Sequence, residues 1–288
     1  MKRLSFIILI LLLFACGGEA NLSDEGFRAI ILSDVHISSD EAKEARLASL
    51  VENINSGQYG DVRFILINGD CVSRVYKDFT PEDPDSSENR VMKLADILGD
   101  LRVPHYLVMG NHDYKIGPGV DSDAWFSPET IGDMEARWKR WTGFDPYYSF
   151  DMNSWQFVVL NSMRGRPDWQ HFDQGQLDWL ESVLQQGRPT VLFSHFPLKT
   201  DHFRIWCKKK DLITPEKESR FYEILRKNRS NIKAIFTGHG HMWVTDTLLD
   251  SIRVFETDSF GDSKHIPFHF LGIDRTNLTV KKIVENWQ

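Results

Sequence analysis

The chain has 288 residues, with 34 Lys and Arg against 41 Asp and Glu, a formal charge of −7 and a pI near 5.8. That length, with a hydrophobic content of 41%, is enough to bury a full core in one large domain or two small ones. The acidic balance excludes a general nucleic-acid binder, which would present a basic face.

Lys2 and Arg3 precede an apolar run from Leu4 to Phe14. A bilayer span needs roughly 20 apolar residues, so this run is too short to cross. It has the proportions of a secretory signal. Its end, Leu13-Phe14-Ala15-Cys16, resembles the lipobox of bacterial lipoproteins, which implies cleavage before Cys16 and a lipid on its thiol. The expected organisation is a signal peptide over 1–15, a lipidated Cys16 and flexible tether over 16–26, and one domain over 27–286. Export and lipid anchoring to the bacterial cell envelope follow, at the outer membrane if the cell is Gram-negative. Without Lys2 and Arg3, 32 basic side chains face 41 acidic ones. Cys71 and Cys207 are the other two cysteines. An oxidising compartment permits a bridge, but isolated cysteines are more often buried and unpaired.

Phe27 to Ser33 reads as a buried strand, followed by Asp34-Val35-His36. In an extended segment residues i and i+2 face the same way, so Asp34 and His36 are expected to face one point. Ala45, Leu47, Leu50, Val51 and Ile54 give a helix over Glu41 to Asn55. The strand Val62 to Ile67 ends in Asn68-Gly69-Asp70. A loop over 76–88 and a helix over Asn89 to Leu101 lead to the strand His105 to Met109, which ends in Gly110-Asn111-His112-Asp113. This βαβαβ order is the signature of parallel strands joined by crossover helices.

After a Gly- and Pro-rich loop from Tyr114, Gly132 to Trp141 reads as a helix. Tyr147 to Asp151 and Trp155 to Leu160 read as a hairpin, and Asp173 as the N-cap of a helix through Leu184. Thr190 to Phe193 is a buried strand ending in Ser194-His195-Phe196-Pro197. A helix from Pro215 to Arg226 precedes the strand Asn231 to Phe236, which ends in Thr237-Gly238-His239-Gly240-His241. The remainder, from Val244, reads as β-rich. Gly240 is expected to allow an unusual turn that points the two flanking rings at different ions.

Ligand-type side chains thus stand at five strand tips. Carboxylates, imidazoles and an amide without motif cysteines suit divalent Mn, Zn or Fe rather than a thiolate zinc site. Paired ions suit phosphoryl transfer, because they stabilise the attacking and leaving oxygens together.

The ordered set Asp34-x-His36, Gly69-Asp70, Gly110-Asn111-His112-Asp113, His195 and Gly238-His239-x-His241 resembles the calcineurin-like metallophosphoesterase superfamily. The resemblance runs from about Phe27 to Thr257. It implies a four-layer α/β/β/α sandwich of two mixed sheets and a centre of two divalent metal ions. One ion would be held by Asp34, His36, Asp70 and His241, the other by Asp70, Asn111, His195 and His239, with Asp70 shared. It implies hydrolysis of small-molecule phosphate esters, monoesters or diesters, by in-line attack of a metal-bridging hydroxide. His112 would stabilise the transition state or protonate the leaving oxygen, and Asp113 would orient its ring. Purple acid phosphatases in this superfamily carry a tyrosine ligand three residues after the shared aspartate; here that position is Ser73, which argues against an iron-tyrosinate centre.

Tyr114, Arg164, His202 and Trp243, with Arg166, His171 and Trp206 beside them, are candidate substrate contacts because loops at strand tips line the pocket. His105, His265 and His269 read as structural. The contrasting expectation is a non-catalytic lipid-anchored binding protein that retains the fold.

Overall fold

A computed structural model of the chain describes residues 26–80, 82, 88–120, 126–200 and 211–287. The signal-like leader with Cys16, together with His202, Trp206 and Cys207, lies outside the described residues. No helix among the described residues is long and apolar enough to cross a membrane.

The first half alternates as its apolar periodicities require: β1 (Phe27–Leu32), α1 (Glu41–Asn55), β2 (Val62–Asn68), α2 (Arg90–Gly99) and β3 (His105–Val108). The three strands are parallel neighbours, with Ile30 beside Ile65 and Ile67 beside Leu107. Asp40 caps α1 through the Ala42 N–H, and Asn89 caps α2 through the Val91 N–H. Helix α3 (Pro128–Thr142) starts four residues earlier than its apolar pattern suggests, because Ser127 caps it and Pro128 suits the first turn.

β4 (Tyr148–Met152) and β5 (Trp155–Val159) form the expected hairpin. α4 (Gln174–Leu184), capped by Asp173, leads to β6 (Thr190–Phe193), and α5 (Ser219–Lys227) leads to β7 (Ile232–Thr237). α5 starts at Ser219 rather than Pro215, since the Lys217 and Glu218 N–H groups first close a turn on the Thr214 carbonyl. β8 (Val244–Leu248), β9 (Ile252–Glu256), β10 (His265–Ile273) and β11 (Leu278–Asn286) complete the chain.

Two mixed sheets result. One has the order β11-β10-β1-β2-β3, the other β4-β5-β6-β7-β9-β8. Their facing surfaces alternate along each strand. Ala29, Ile31, Phe64 and Leu66 from the first share one buried cluster with Phe157, Val159, Val191, Phe193 and Phe236 from the second. The rings of Phe64 and Phe157 meet across this layer with centroids 5.0 Å apart. The alternate residues, such as Ile30, Ile65 and Leu192, belong to the cluster that includes Leu47 and Leu50 of α1, Leu94 of α2 and Leu180 of α4. The fold is therefore the four-layer α/β/β/α sandwich. Because parallel strands of both sheets run the same way, their C-terminal tips gather at one pole. Cys71 is buried there with a free thiol, which points toward the Val108 carbonyl at 3.6 Å.

Candidate metal centre

Three overlapping groups of ligand atoms stand at that pole: Asp34, His36 and His241; His36, Asp70 and His112; and Asp70, His195 and His239. Asn111 joins the last, with its Oδ1 3.1 Å from His195 Nε2 and 2.9 Å from His239 Nδ1. His241 Nε2 lies 3.1 Å from Asp34 Oδ1 and 3.4 Å from His36 Nε2. Asp70 belongs to both sides: its Oδ1 is 3.3 Å from His195 Nε2 and its Oδ2 is 3.7 Å from His36 Nε2. The structure thus brings Asp34, His36, Asp70, Asn111, His195, His239 and His241 into one constellation.

How the chain turns here differs from the extended geometry that strand periodicity suggests. Asp34, His36, Asp70, His239 and His241 all have left-handed φ values, between 48° and 66°. Each such residue costs on the order of 1 kcal/mol or more, and persists only where its surroundings over-determine it. They do so here. The Asp34 and His36 N–H groups donate to the Gly69 and Asp70 carbonyls at 3.0 and 2.9 Å, and Gly261 N–H donates to the Asp34 carbonyl at 2.8 Å. Asp34 and His36 converge because both backbones are left-handed, not because the segment is extended. Gly240 likewise is not the residue that turns; the histidines on either side of it are. Gly240 is needed because a Cβ there would overlap the Glu256 carboxylate. Gly110 answers a similar need, since a Cβ would stand 2.3 Å from both the N and the Oδ1 of Asp70.

The electrostatics fit a cationic occupant. Asp34 and Asp70 are fully buried, and among the described residues every ion pair they make is with a histidine. Burial by itself would lift both carboxylates. Against this, His241 and His195 together act on Asp34, and His195 with His112 and His36 on Asp70, so that both are held below the usual carboxylate range. Against the opposing effect of burial, Asp70 lifts His195 to about 9, and Asp262 with Asp34 lifts His241 to about 10. Burial drives His36 the other way, to about 4. Two buried negative charges balanced only by imidazolium are costly, and divalent ions would balance them instead. Asp34 Oδ1 is buried and faces the ring nitrogens of His241, His36 and His195 at 3.1, 3.9 and 4.0 Å, side chains that ligate metal in their neutral form. The residues present therefore fit a pair of divalent ions.

Partners behind the ligands were not visible in the sequence. Asp262 Oδ2 stands 2.6 Å from His241 Nδ1, the Asn68 carbonyl 3.0 Å from His195 Nδ1, and Asp211 Oδ2 3.8 Å from His239 Nε2. Such partners fix which ring nitrogen faces the metal and raise its basicity. Ser33 Oγ and the His239 N–H both donate to Asp34 Oδ2, so that oxygen is turned away from the centre. Replacing Asp262 with Asn is expected to weaken metal affinity by roughly 10- to 100-fold, read as metal content after dialysis against graded chelator. Unchanged retention would show that His241 needs no such support.

The two residues expected to act as a catalytic pair are held separately. His112 Nδ1 lies 2.8 Å from the Ser73 carbonyl, so Ser73 rather than Asp113 orients the ring. Asp113 accepts the Gly110, Val72 and Cys71 N–H groups at 2.8, 3.1 and 3.3 Å and ties two strand tips together. Burial, with Asp70 nearby, lifts its carboxyl to about 7 despite these donors. The Ser73 side chain turns to Arg90.

Most of the candidate substrate contacts serve elsewhere. Tyr114 follows His112 in a single 3-10 turn, which swings its side chain inward. It is 1% exposed, donates to Glu135 and accepts from Asn161. Arg164 is held by Glu135 and Asp173 at 2.8 and 2.7 Å. His171 is buried against Glu218, and Arg166 pairs with Asp211 over the Phe196 ring. Trp243 packs edge-on against His269 beneath Lys282.

Two sandwiched sheets whose joined tips carry a carboxylate shared between two ligand groups define a candidate dinuclear metal centre. The chain belongs to the calcineurin-like phosphoesterase family, whose sequence model matches residues 27–243. That family is one of dinuclear-metal-dependent phosphoesterases. Over 191 residues it is 29% identical to a serine/threonine-protein phosphatase of Danio rerio, covering 62% of this chain and 54% of that protein. It thus spans about half the length of that relative. Over 230 residues it is 26% identical to a probable cyclic nucleotide phosphodiesterase of Rhodopseudomonas palustris, covering 74% of this chain and 70% of the other. The crystal structure of a dimetal phosphatase from Danio rerio shares the fold with a TM-score of 0.64 at 14% identity, over 91% of this chain and 99% of that one.

Proposed function

We propose that this chain is a two-metal hydrolase of small-molecule phosphate esters that acts outside the cytoplasm, anchored to the bacterial cell envelope through a lipid on Cys16. The observation that carries the chemistry is the placement of Asp70, one carboxylate within reach of both ligand groups. Asp34, His36, Asp70 and His241 would hold one divalent ion, and Asp70, Asn111, His195 and His239 the other, as Mn, Zn or Fe. Such ions lower the pKa of bound water and offset charge on phosphoryl oxygens. The chain's own share is then positioning and proton transfer. Asn68 and Asp262 hold His195 and His241 by the nitrogen that faces away from the centre. In the doubly protonated ring the Ser73 carbonyl accepts the Nδ1 proton, and the Nε2 proton is the one that would pass to the departing ester oxygen, leaving a neutral ring protonated at Nδ1.

The lipid anchor rests on the order of the n-region, the apolar run and Ala15-Cys16. Phosphatase and phosphodiesterase activities occur in the names of the relatives, and the motifs are common to both.

The decisive measurement uses the full chain, purified in detergent. Bound metal is quantified, and hydrolysis of an aryl phosphate monoester and an aryl phosphate diester is compared with Mn and with Zn. Hydrolysis of at least one ester, abolished by chelation and restored by metal, is the expected result. Near-zero metal with neither ester cleaved would overturn the reading. Intact mass of the N-terminal peptide tests the anchor separately; an unmodified Cys16 would remove it.

A further inference from the structure

The pole opposite the metal centre carries a feature that the hydrolase does not use. A cavity of about 470 Å³ is lined by Arg229, Lys233 and Arg253 together with Ser230, Ser251 and Asn277, and its described lining contains no carboxylate. Asp274, in the turn beside the cavity, has its carboxylate oxygens taken by the Thr276 and Asn277 N–H groups and by Asn277 Nδ2. Two of the three cations are fixed by backbone carbonyls: Arg253 donates to Leu278 at 2.9 Å, and Lys233 to Ser230 at 2.6 Å. Fixed cations can recognise an anion with little further ordering.

The place of this cavity in the fold suggests which anion. Lys233 lies at the start of β7 and Arg253 at the start of β9, whereas His239 follows the end of β7. At about 3.3 Å per residue, the strand separates the cavity from the metal centre by roughly 20 Å. The chain enters the first sheet at this same pole. Phe27 pairs with Ile273, next to the β10–β11 turn whose Asn277 walls the cavity. A tether over 16–26 would therefore leave the domain on the side of the basic cavity.

We propose that this cavity binds the phosphate headgroups of anionic lipids, seating the base of the domain on the membrane with the metal centre facing away. Choosing a lipid phosphate over a free one rests on the reading of Cys16 as the lipidated residue. A ten-residue tether reaches roughly 35 Å when extended, so the anchor alone leaves orientation undefined. Basic side chains are drawn to an anionic surface within about one Debye length, and the cavity supplies that attraction on one face only.

The test uses the full chain reconstituted into vesicles of phosphatidylcholine, or of an equimolar mixture with phosphatidylglycerol. Acetylation of Lys233 is compared by mass spectrometry with that of Lys115, at the metal pole. The Lys233-to-Lys115 ratio is expected to fall several-fold in the anionic vesicles, to recover in molar salt, and to become insensitive to lipid charge in Arg229→Glu, an exposed position. Equal ratios in the two vesicles, or a difference that survives Arg229→Glu, would overturn the headgroup site. The mass of Cys16 in the same digest reports the anchor independently. An unmodified Cys16 with a lipid-sensitive Lys233 would leave the headgroup site standing and remove the anchor, while a lipidated Cys16 with an insensitive Lys233 would do the reverse.

Discussion

Replacing Asp70 with Asn is expected to strip metal from both halves of the centre and to lower turnover by about a thousandfold. The substitution keeps the size of the side chain but exchanges one carboxylate oxygen for an amide that cannot ligate through its nitrogen. Both oxygens are committed: Oδ1 stands 3.3 Å from His195 Nε2 and accepts the His112 N–H at 2.7 Å, and Oδ2 faces His36 at 3.7 Å. Among the described residues Asp70 is the carboxylate that falls both in the group with His36 and in the group with His195 and His239. Losing several kcal/mol of metal-borne charge stabilisation corresponds to about three decades in rate. The same change removes one of two buried negative charges. Because the His195 imidazole holds Asp70 ionised in the fold, the change leaves that buried imidazolium without this partner, and the metal-stripped variant is expected to melt below metal-stripped wild type. Elemental analysis, steady-state rates and calorimetry check the three parts. A variant with full metal and near-normal turnover would end the assignment of Asp70 as the shared ligand.

His112→Asn should separate chemistry from metal binding. Metal content is expected to remain, because the ring is oriented by the Ser73 carbonyl and the His112 backbone N–H still reaches Asp70. Turnover of an ester with a poor alkyl leaving group is expected to fall by roughly 10²- to 10⁴-fold, the usual worth of a positioned general acid. The loss should shrink for a nitrophenyl ester, whose leaving oxygen departs without needing a proton. An equal loss on both esters would instead assign His112 to holding the phosphoryl group, and no loss on either would take it out of the reaction.

Asp113 and Tyr114 show where adjacency in sequence misleads. Both follow His112 directly and carry groups suited to catalysis or binding. The 3-10 turn at His112–Tyr114 sends them inward, where Asp113 accepts three backbone N–H groups and Tyr114 joins Glu135 and Asn161. Arg164 is similar, since its two carboxylate partners come from α3 and from the cap of α4. Conversely, Asp262 is 21 residues from His241 and Asp211 is 28 from His239, in segments with no motif of their own. A single side chain 20 or more residues away from its partner leaves no periodic signal, so only the folded chain reveals it.

By itself the sequence determined the strands, their order and the ligand-type residues at five tips. Those follow from local rules: an apolar run buries, alternating helices force parallel strands, and parallel strands gather their tips at one end. Tertiary structure alone decided the rest. It set five of the candidate ligands in left-handed backbone, held there by hydrogen bonds between tips rather than within any one strand. It chose Ser73, Asp262 and Asn68 as the groups that orient the rings. It also gathered Arg229, Lys233 and Arg253 at the far pole. The physical reason is common to all three. Burial, ring orientation and backbone strain depend on which distant segments pack together, and that packing is a property of the whole core rather than of any stretch of chain.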